Sequence, residues 1–127
     1  VDHIVAVDDS HVIRRLVEVS LDPLNVRVET AESGVEACER LLTTPPDLLI
    51  LDIGLPDMNG WDVLHFVQSE PALDGLPVIM LTGQSDAGDK ARADRRGVAA
   101  YMVKPFRPAD LRSVVMNVLR DPAPTTA

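Results

Sequence analysis

Apolar residues follow two rhythms along this chain. Ile4-Val5-Ala6-Val7, Leu48-Leu49-Ile50-Leu51 and Val78-Ile79-Met80-Leu81 are unbroken runs, the pattern of strands buried on both faces of a parallel sheet. From Asn25 to Ala31 the pattern alternates, with Val26 and Val28 separated by Arg27 and followed by Glu29. That stretch predicts an edge strand with one wet face. Ala99-Ala100-Tyr101-Met102-Val103 predicts a fifth, moderately apolar strand.

The segments between these runs carry helical spacing and helical caps. Ser10 is placed to cap a helix whose Ile13, Leu16, Val17 and Leu21 share one face. Ser33 and Glu36 form a capping-box pattern ahead of Ala37, Cys38, Leu41 and Leu42. Gly60 opens a third helix through Trp61, Leu64 and Val67, and Pro71 closes that region. A fourth helix, about Asp86 to Arg96, has only Ala87 and Ala91 as apolar anchors. Pro108 suits the first turn of the last helix, whose stripe is Leu111, Val114, Val115, Val118 and Leu119.

Five strand–helix units with short connections predict an α/β domain: a doubly wound parallel sheet with helices on both faces and right-handed crossovers. With five strands the order 2-1-3-4-5, the flavodoxin-like arrangement, puts the alternating second strand at an edge. At 127 residues there is room for one such domain. It is predicted over residues 1–120, with 121–127 a flexible tail or the start of a linker. The chain begins with Val1 rather than Met, which suggests a piece of a longer protein.

A formal net charge of −8 argues against direct nucleic-acid binding, which needs a basic patch. Cys38 is the only cysteine, so no disulfide framework exists and a reducing cytoplasm is the expected location. No apolar run approaches the roughly 20 residues of a membrane span.

In sheets of this kind ligands bind beyond the carboxyl ends of the strands. There the sequence places Asp8-Asp9, Asp52, Thr82 and Lys104, after the first, third, fourth and fifth strands. Each has an ordinary reading taken alone: a helix cap, a turn former, a strand-ending threonine, a solvated lysine. The ordinary readings do not predict all of them on one rim. Clustered carboxylates repel unless a cation joins them, and hard oxygen ligands with open positions suit Mg²⁺. A carboxylate is also a nucleophile that can form an acyl phosphate. Lys104 would then neutralise the transferring group and Thr82 would donate to one of its oxygens.

The segments Val7-Asp8-Asp9-Ser10, Leu51-Asp52-Ile53-Gly54-Leu55-Pro56-Asp57-Met58-Asn59-Gly60, Leu81-Thr82-Gly83 and Tyr101-Met102-Val103-Lys104-Pro105-Phe106 resemble those of bacterial response-regulator receiver domains, from about residue 3 to 120. The resemblance implies that Asp52 takes a phosphoryl group from the phosphohistidine of a sensor histidine kinase or phosphotransfer protein. It implies Mg²⁺ held directly by Asp9, Asp52 and the Gly54 carbonyl, with Asp8 acting through water. It implies that Thr82 and Lys104 bind the phosphoryl oxygens and that Gly83 leaves room for them. By the same resemblance Lys104–Pro105 is a cis bond. Tyr101 would be the aromatic that turns on activation, switching the face made by the fourth helix, fifth strand and fifth helix. Such a domain catalyses only its own phosphotransfer and autodephosphorylation, and is otherwise not an enzyme.

Some positions depart from the pattern or vary within it. Ala99 and Ala100 stand where regulators with winged-helix outputs carry acids used in a dimer face. Gly54 and Gln84 occupy positions that tune hydrolysis. A dehalogenase-type phosphatase would want a second Asp at position 54, where Gly54 stands. A flavin-binding module would not place Asp8-Asp9 beside a phosphate, and a docking module without phosphorylation would not need the whole site. His3, His11 and His65 lack metal-ligand spacing and read as surface or partly packed. Trp61 and Phe66 read as helix packing, and Arg92, Arg95 and Arg96 as a solvated helix face.

Overall fold

The computed structural model describes residues 1–83 and 87–120. Gln84, the predicted helix start at Asp86 and the predicted tail 121–127 lie outside the described residues. The strands are β1 (His3–Val7), β2 (Arg27–Ala31), β3 (Leu48–Asp52), β4 (Val78–Thr82) and β5 (Ala100–Val103). All pair in parallel, in the order β2-β1-β3-β4-β5, as the apolar runs predict. The helices are α1 (His11–Leu21), α2 (Gly34–Thr43), α3 (Gly60–Ser69), α4 (Ala87–Arg95) and α5 (Pro108–Arg120), with 3₁₀ turns at Asp22–Leu24 and Pro71–Leu73.

Strand alternation divides the core in two. Ile4, Ala6, Leu48, Ile50, Ile79 and Leu81 pack with Val17 and Leu21 of α1 and with Leu111, Val115 and Val118 of α5. Val5, Val7, Leu49, Leu51 and Met80 pack on the other face with Ala37 and Leu41 of α2 and with Trp61, Leu64 and Val67 of α3. Each Val, Leu, Ile or Met among them contributes about 1.5–3 kcal/mol when fully buried.

Local differences from the sequence reading have physical causes. β2 starts at Arg27 rather than Asn25, because Asn25 adopts a left-handed turn (φ 55°, ψ 48°) that ends the 3₁₀ segment. Ser33 does cap α2, accepting from the Glu36 N–H at 3.1 Å, but Glu36 reaches back to the N–H of Glu32 rather than of Ser33. Leu42 is exposed, outside the buried stripe. In α4 Ala93 is the buried anchor among the described side chains and Ala91 faces solvent, while the Ala87 side chain lies outside those described. Arg92 lies over the Trp61 ring, 4.2 Å from its centroid. Arg96 donates from Nε and an Nη to Gln68 Oε1 at 3.1 and 3.0 Å. So of the three arginines only Arg95 is the plain solvated residue that the sequence suggests. His3 is buried in β1, with Nε2 within 2.7 Å of Glu29 Oε1; His11 and His65 are exposed.

Candidate functional site

Register brings the strand ends level. Val7 lies beside Leu51, Asp52 beside Leu81 and Thr82 beside Val103. The next residues therefore meet on one rim: Asp8 beside Asp52, and Lys104 just past Thr82, where the Lys104 N–H donates to the Thr82 carbonyl at 2.6 Å. The Lys104–Pro105 bond is cis. Gly60, at the start of α3, sits against the strand end that carries Asp52. Its N–H donates to the Ile53 carbonyl at 2.7 Å. A Cβ at this position would lie 2.5 Å from the Asp52 carbonyl oxygen and 2.6 Å from the Ile53 Cα. Only glycine permits that approach, and Asn59 caps the helix by accepting from the Asp62 N–H at 3.0 Å.

Asp8, Asp52 and Thr82 are buried, while Asp9 is exposed. The Lys104 ammonium bridges Asp8 Oδ2 and Asp52 Oδ1, at 3.1 Å from each. Asp8 Oδ1 accepts from the Ser10 N–H at 2.9 Å, and Asp52 Oδ1 also accepts from the Gly54 N–H at 3.2 Å. Burial pushes the Asp8 carboxyl above its ordinary range and the Asp52 charge adds to the effect; the Ser10 N–H and Lys104 oppose it without cancelling it. Burial works against the Lys104 charge, yet Asp52 and Asp8 outweigh it and hold the ammonium above the usual lysine value.

The donor set fits a hard divalent cation. Asp8, Asp9 and Asp52 each offer a carboxylate oxygen, all within 4.8 Å of one another. An octahedral Mg²⁺ holds its oxygens at about 2.0–2.1 Å, so its ligands stand about 3–4 Å apart. The acids and Lys104 open onto a cleft of about 330 Å³ lined by Asp9, Asp52, Ile53, Gly54, Thr82, Gly83, Asp89 and Lys104. Space beside Gly83 is open. A larger shallow groove of about 430 Å³ between α1 and β2 is lined by Arg15, Glu18, Val19, Asp22, Val26 and Val28. It gathers no comparable set of carboxylates, hydroxyl and ammonium, so the smaller cleft is the candidate site. Tyr101 is partly buried and packs with the core on the α3 side.

The structure thus brings Asp8, Asp9, Asp52, Gly54, Thr82, Gly83 and Lys104 together, with Tyr101 on the neighbouring strand. Two acids that matter here escaped the sequence reading. Asp57 accepts from the N–H groups of Gly34 and Val35 at 2.9 and 3.0 Å, tying the loop after β3 to the start of α2. Those N–H bonds hold its carboxyl below the ordinary range. Asp89 lines the cleft from the first turn of α4. A helix that follows a parallel strand begins at the rim holding the strand ends, so its first-turn acid was the available signal.

Residues 4–116 match the model of the response regulator receiver domain. The chain belongs to this family. As a receiver domain it is 36% identical to the chemotaxis protein CheY1 of Helicobacter pylori, over 91% of this chain and 95% of that one. It is 35% identical to the probable transcriptional regulator ycf27 of Cyanidium caldarium, covering 93% of this chain but 46% of the relative. The receiver domain spans about half the length of most of the curated relatives that it matches. Among solved structures, Vibrio cholerae CheY4 superposes with a TM-score of 0.86 at 31% identity, covering 92% of this chain and 98% of that one. A putative response regulator from Chloroflexus aurantiacus gives 0.88 at 33%, over 94% and 98%. No helix among the described residues is long and apolar enough to cross a membrane.

Proposed function

We propose that this receiver domain accepts a phosphoryl group on Asp52 from the phosphohistidine of a sensor histidine kinase or phosphotransfer protein. One observation carries the reading: a single ammonium, Lys104, bridges the buried Asp8 and Asp52 on a cleft that Thr82 also lines. An Asp52 carboxylate oxygen attacks phosphorus, the phosphorus–nitrogen bond breaks, and its electron pair returns to the donor imidazole. Lys104 moves from the carboxylates toward the phosphoryl oxygens as their charge arrives, and the Thr82 hydroxyl donates to another of them. Asp9, Asp52 and the Gly54 carbonyl would hold Mg²⁺ directly. Asp8, whose two oxygens already accept from Ser10 and Lys104, would act through water. The chemistry such an ion supplies is neutralisation of the acids and of the incoming phosphate oxygens.

The domain works as a signalling phosphoacceptor, its only catalysis being its own phosphorylation and hydrolysis, and the reading carries a cytoplasmic location with it. Output runs through Thr82 and Tyr101 to the face of α4, β5 and α5, where Val103 and Met116 leave apolar surface exposed. The test is transfer from a phosphorylated histidine phosphotransfer protein. Label should pass to the wild type with Mg²⁺ and stop with a chelator. Transfer that ignores chelation would overturn the metal assignment, and label on another residue would overturn Asp52.

A further inference from the structure

We infer that Asp57 is a positioning residue for the divalent cation: by binding the first turn of α2 it fixes the loop after β3, from which Gly54 serves the site. The inference rests on the metal assignment of the proposed function and adds to it a residue outside the cleft.

Loop 53–59 joins Asp52 to α3 and contributes Ile53 and Gly54 to the cleft wall. The Gly54 N–H donates to Asp52 Oδ1 at 3.2 Å, and the Gly54 carbonyl is the ligand that the proposed function gives to Mg²⁺. Such an ion demands near-ideal octahedral geometry, so this loop has to be held still. At its base the Ile53 N–H donates to the Leu81 carbonyl at 3.0 Å, and the Gly60 N–H closes on the Ile53 carbonyl. Leu55 is buried in the core, and Met58 lies against Gly34, where a Cβ would overlap it. Pro56 and Asp57 form the exposed crest between them. Among the described hydrogen bonds, those from the Gly34 and Val35 N–H groups to Asp57, at 2.9 and 3.0 Å, are the ones that tie this crest to another element.

Helix capping accounts for part of this arrangement. Asp57 brings negative charge to a helix N-terminus and satisfies two N–H groups that have no partner within the helix. Yet α2 already has a cap of its own in Ser33, which accepts from the Glu36 N–H. A second cap that reaches in from the loop carrying Gly54 joins the start of α2 to the cation site. Coupling of this kind is reciprocal. A cation that orders Gly54 tightens the hold of Asp57 on α2, and loss of that hold weakens the cation.

The experiment measures Mg²⁺ affinity, together with hydrogen exchange at Gly34 and Val35, in wild type, Asp57→Asn, Asp57→Ala and Ser33→Ala. Asp57→Ala should lower the affinity by about three- to tenfold, at or below the low end of what losing a group bonded directly to a metal ligand costs. Asparagine keeps an acceptor oxygen, so Asp57→Asn should fall between wild type and Asp57→Ala. Ser33→Ala removes a cap from the same turn without touching the loop, so it should melt lower than wild type while Mg²⁺ affinity stays unchanged. Mg²⁺ should slow exchange at Gly34 and Val35 in the wild type, and that slowing should be lost in Asp57→Ala. An affinity unchanged in Asp57→Ala, or lowered as much by Ser33→Ala, overturns the inference and leaves Asp57 a cap alone. A loss in Asp57→Asn as large as in Asp57→Ala, and abolished by high salt, assigns the effect to charge and overturns it too. A wild type that binds no Mg²⁺ overturns the metal assignment itself, and the inference with it.

Discussion

Lys104 serves two carboxylates with one ammonium, and its loss should leave both without their cation. Lys104→Met, measured by denaturant unfolding in chelator, should cost about 2–3 kcal/mol, somewhat less than breaking a fully buried ion pair because the ammonium borders the cleft. Saturating Mg²⁺ should restore part of it; an unchanged stability in chelator would contradict the bridging role. The pH dependence follows from the shifts. With its value raised, Lys104 stabilises the fold fully below the ordinary lysine range, and that contribution is lost as pH rises through the folded value. Asp8 is also raised, so its ionised form costs stability at neutral pH, a cost relieved as pH falls through its folded value. At Gly60 the constraint is steric. Gly60→Ala would force its Cβ onto the Asp52 carbonyl and the Ile53 Cα, and a loss of about 1–3 kcal/mol is expected. Wild-type stability in that variant would mean that the start of α3 yields freely.

At the scale of elements, β2 is held to its neighbours through Glu29, which lies within 2.7 Å of His3 Nε2 and 3.0 Å of Arg40 on α2. Burial opposes its ionisation, but His3 and Arg27 outweigh it and set its pKa below the ordinary value. The stabilisation is therefore present above the ordinary glutamate range and lost as pH falls through the folded pKa. Glu29→Gln should melt below wild type at pH 7, with the gap closing as pH falls below the ordinary glutamate range and the carboxyl protonates; a gap that persists once it is protonated would contradict the charge assignment. The unbroken runs made β1, β3 and β4 legible because a strand buried on both faces leaves no other pattern. The start of β2 was less legible, because a left-handed Asn25 is a backbone choice that alternation does not reveal. α4 was the hardest. Its anchorage depends on Arg92 meeting Trp61 and Arg96 meeting Gln68, contacts between distant residues that no local pattern encodes. The role of Asp57 as a second cap for α2 was hidden for the same reason.

Across the whole molecule, the site was readable because the sheet order converts separated residues into neighbours: once 2-1-3-4-5 is set, Asp8, Asp52, Thr82 and Lys104 must share a rim. What position alone did not provide was Asp89, which comes from a helix start rather than a strand end. The same layout suggests how phosphorylation reaches the far face. On the proposed function, added charge at Asp52 would draw Thr82 and Lys104 inward, space would open beside Tyr101, and α4 would follow as a shift between two existing states. Hydrogen exchange with beryllofluoride and Mg²⁺ should change through α4 and around Tyr101. Thr82→Ala should weaken that change while Mg²⁺ still binds. Changes confined to the loops holding Asp9 and Asp52 would contradict the route. The central claim, that Asp52 is the phosphoacceptor, meets its most direct test in the intact mass of the protein after incubation with acetyl phosphate and Mg²⁺. The wild type should gain the mass of one phosphoryl group and Asp52→Asn should gain none; equal labelling of the two would contradict the account.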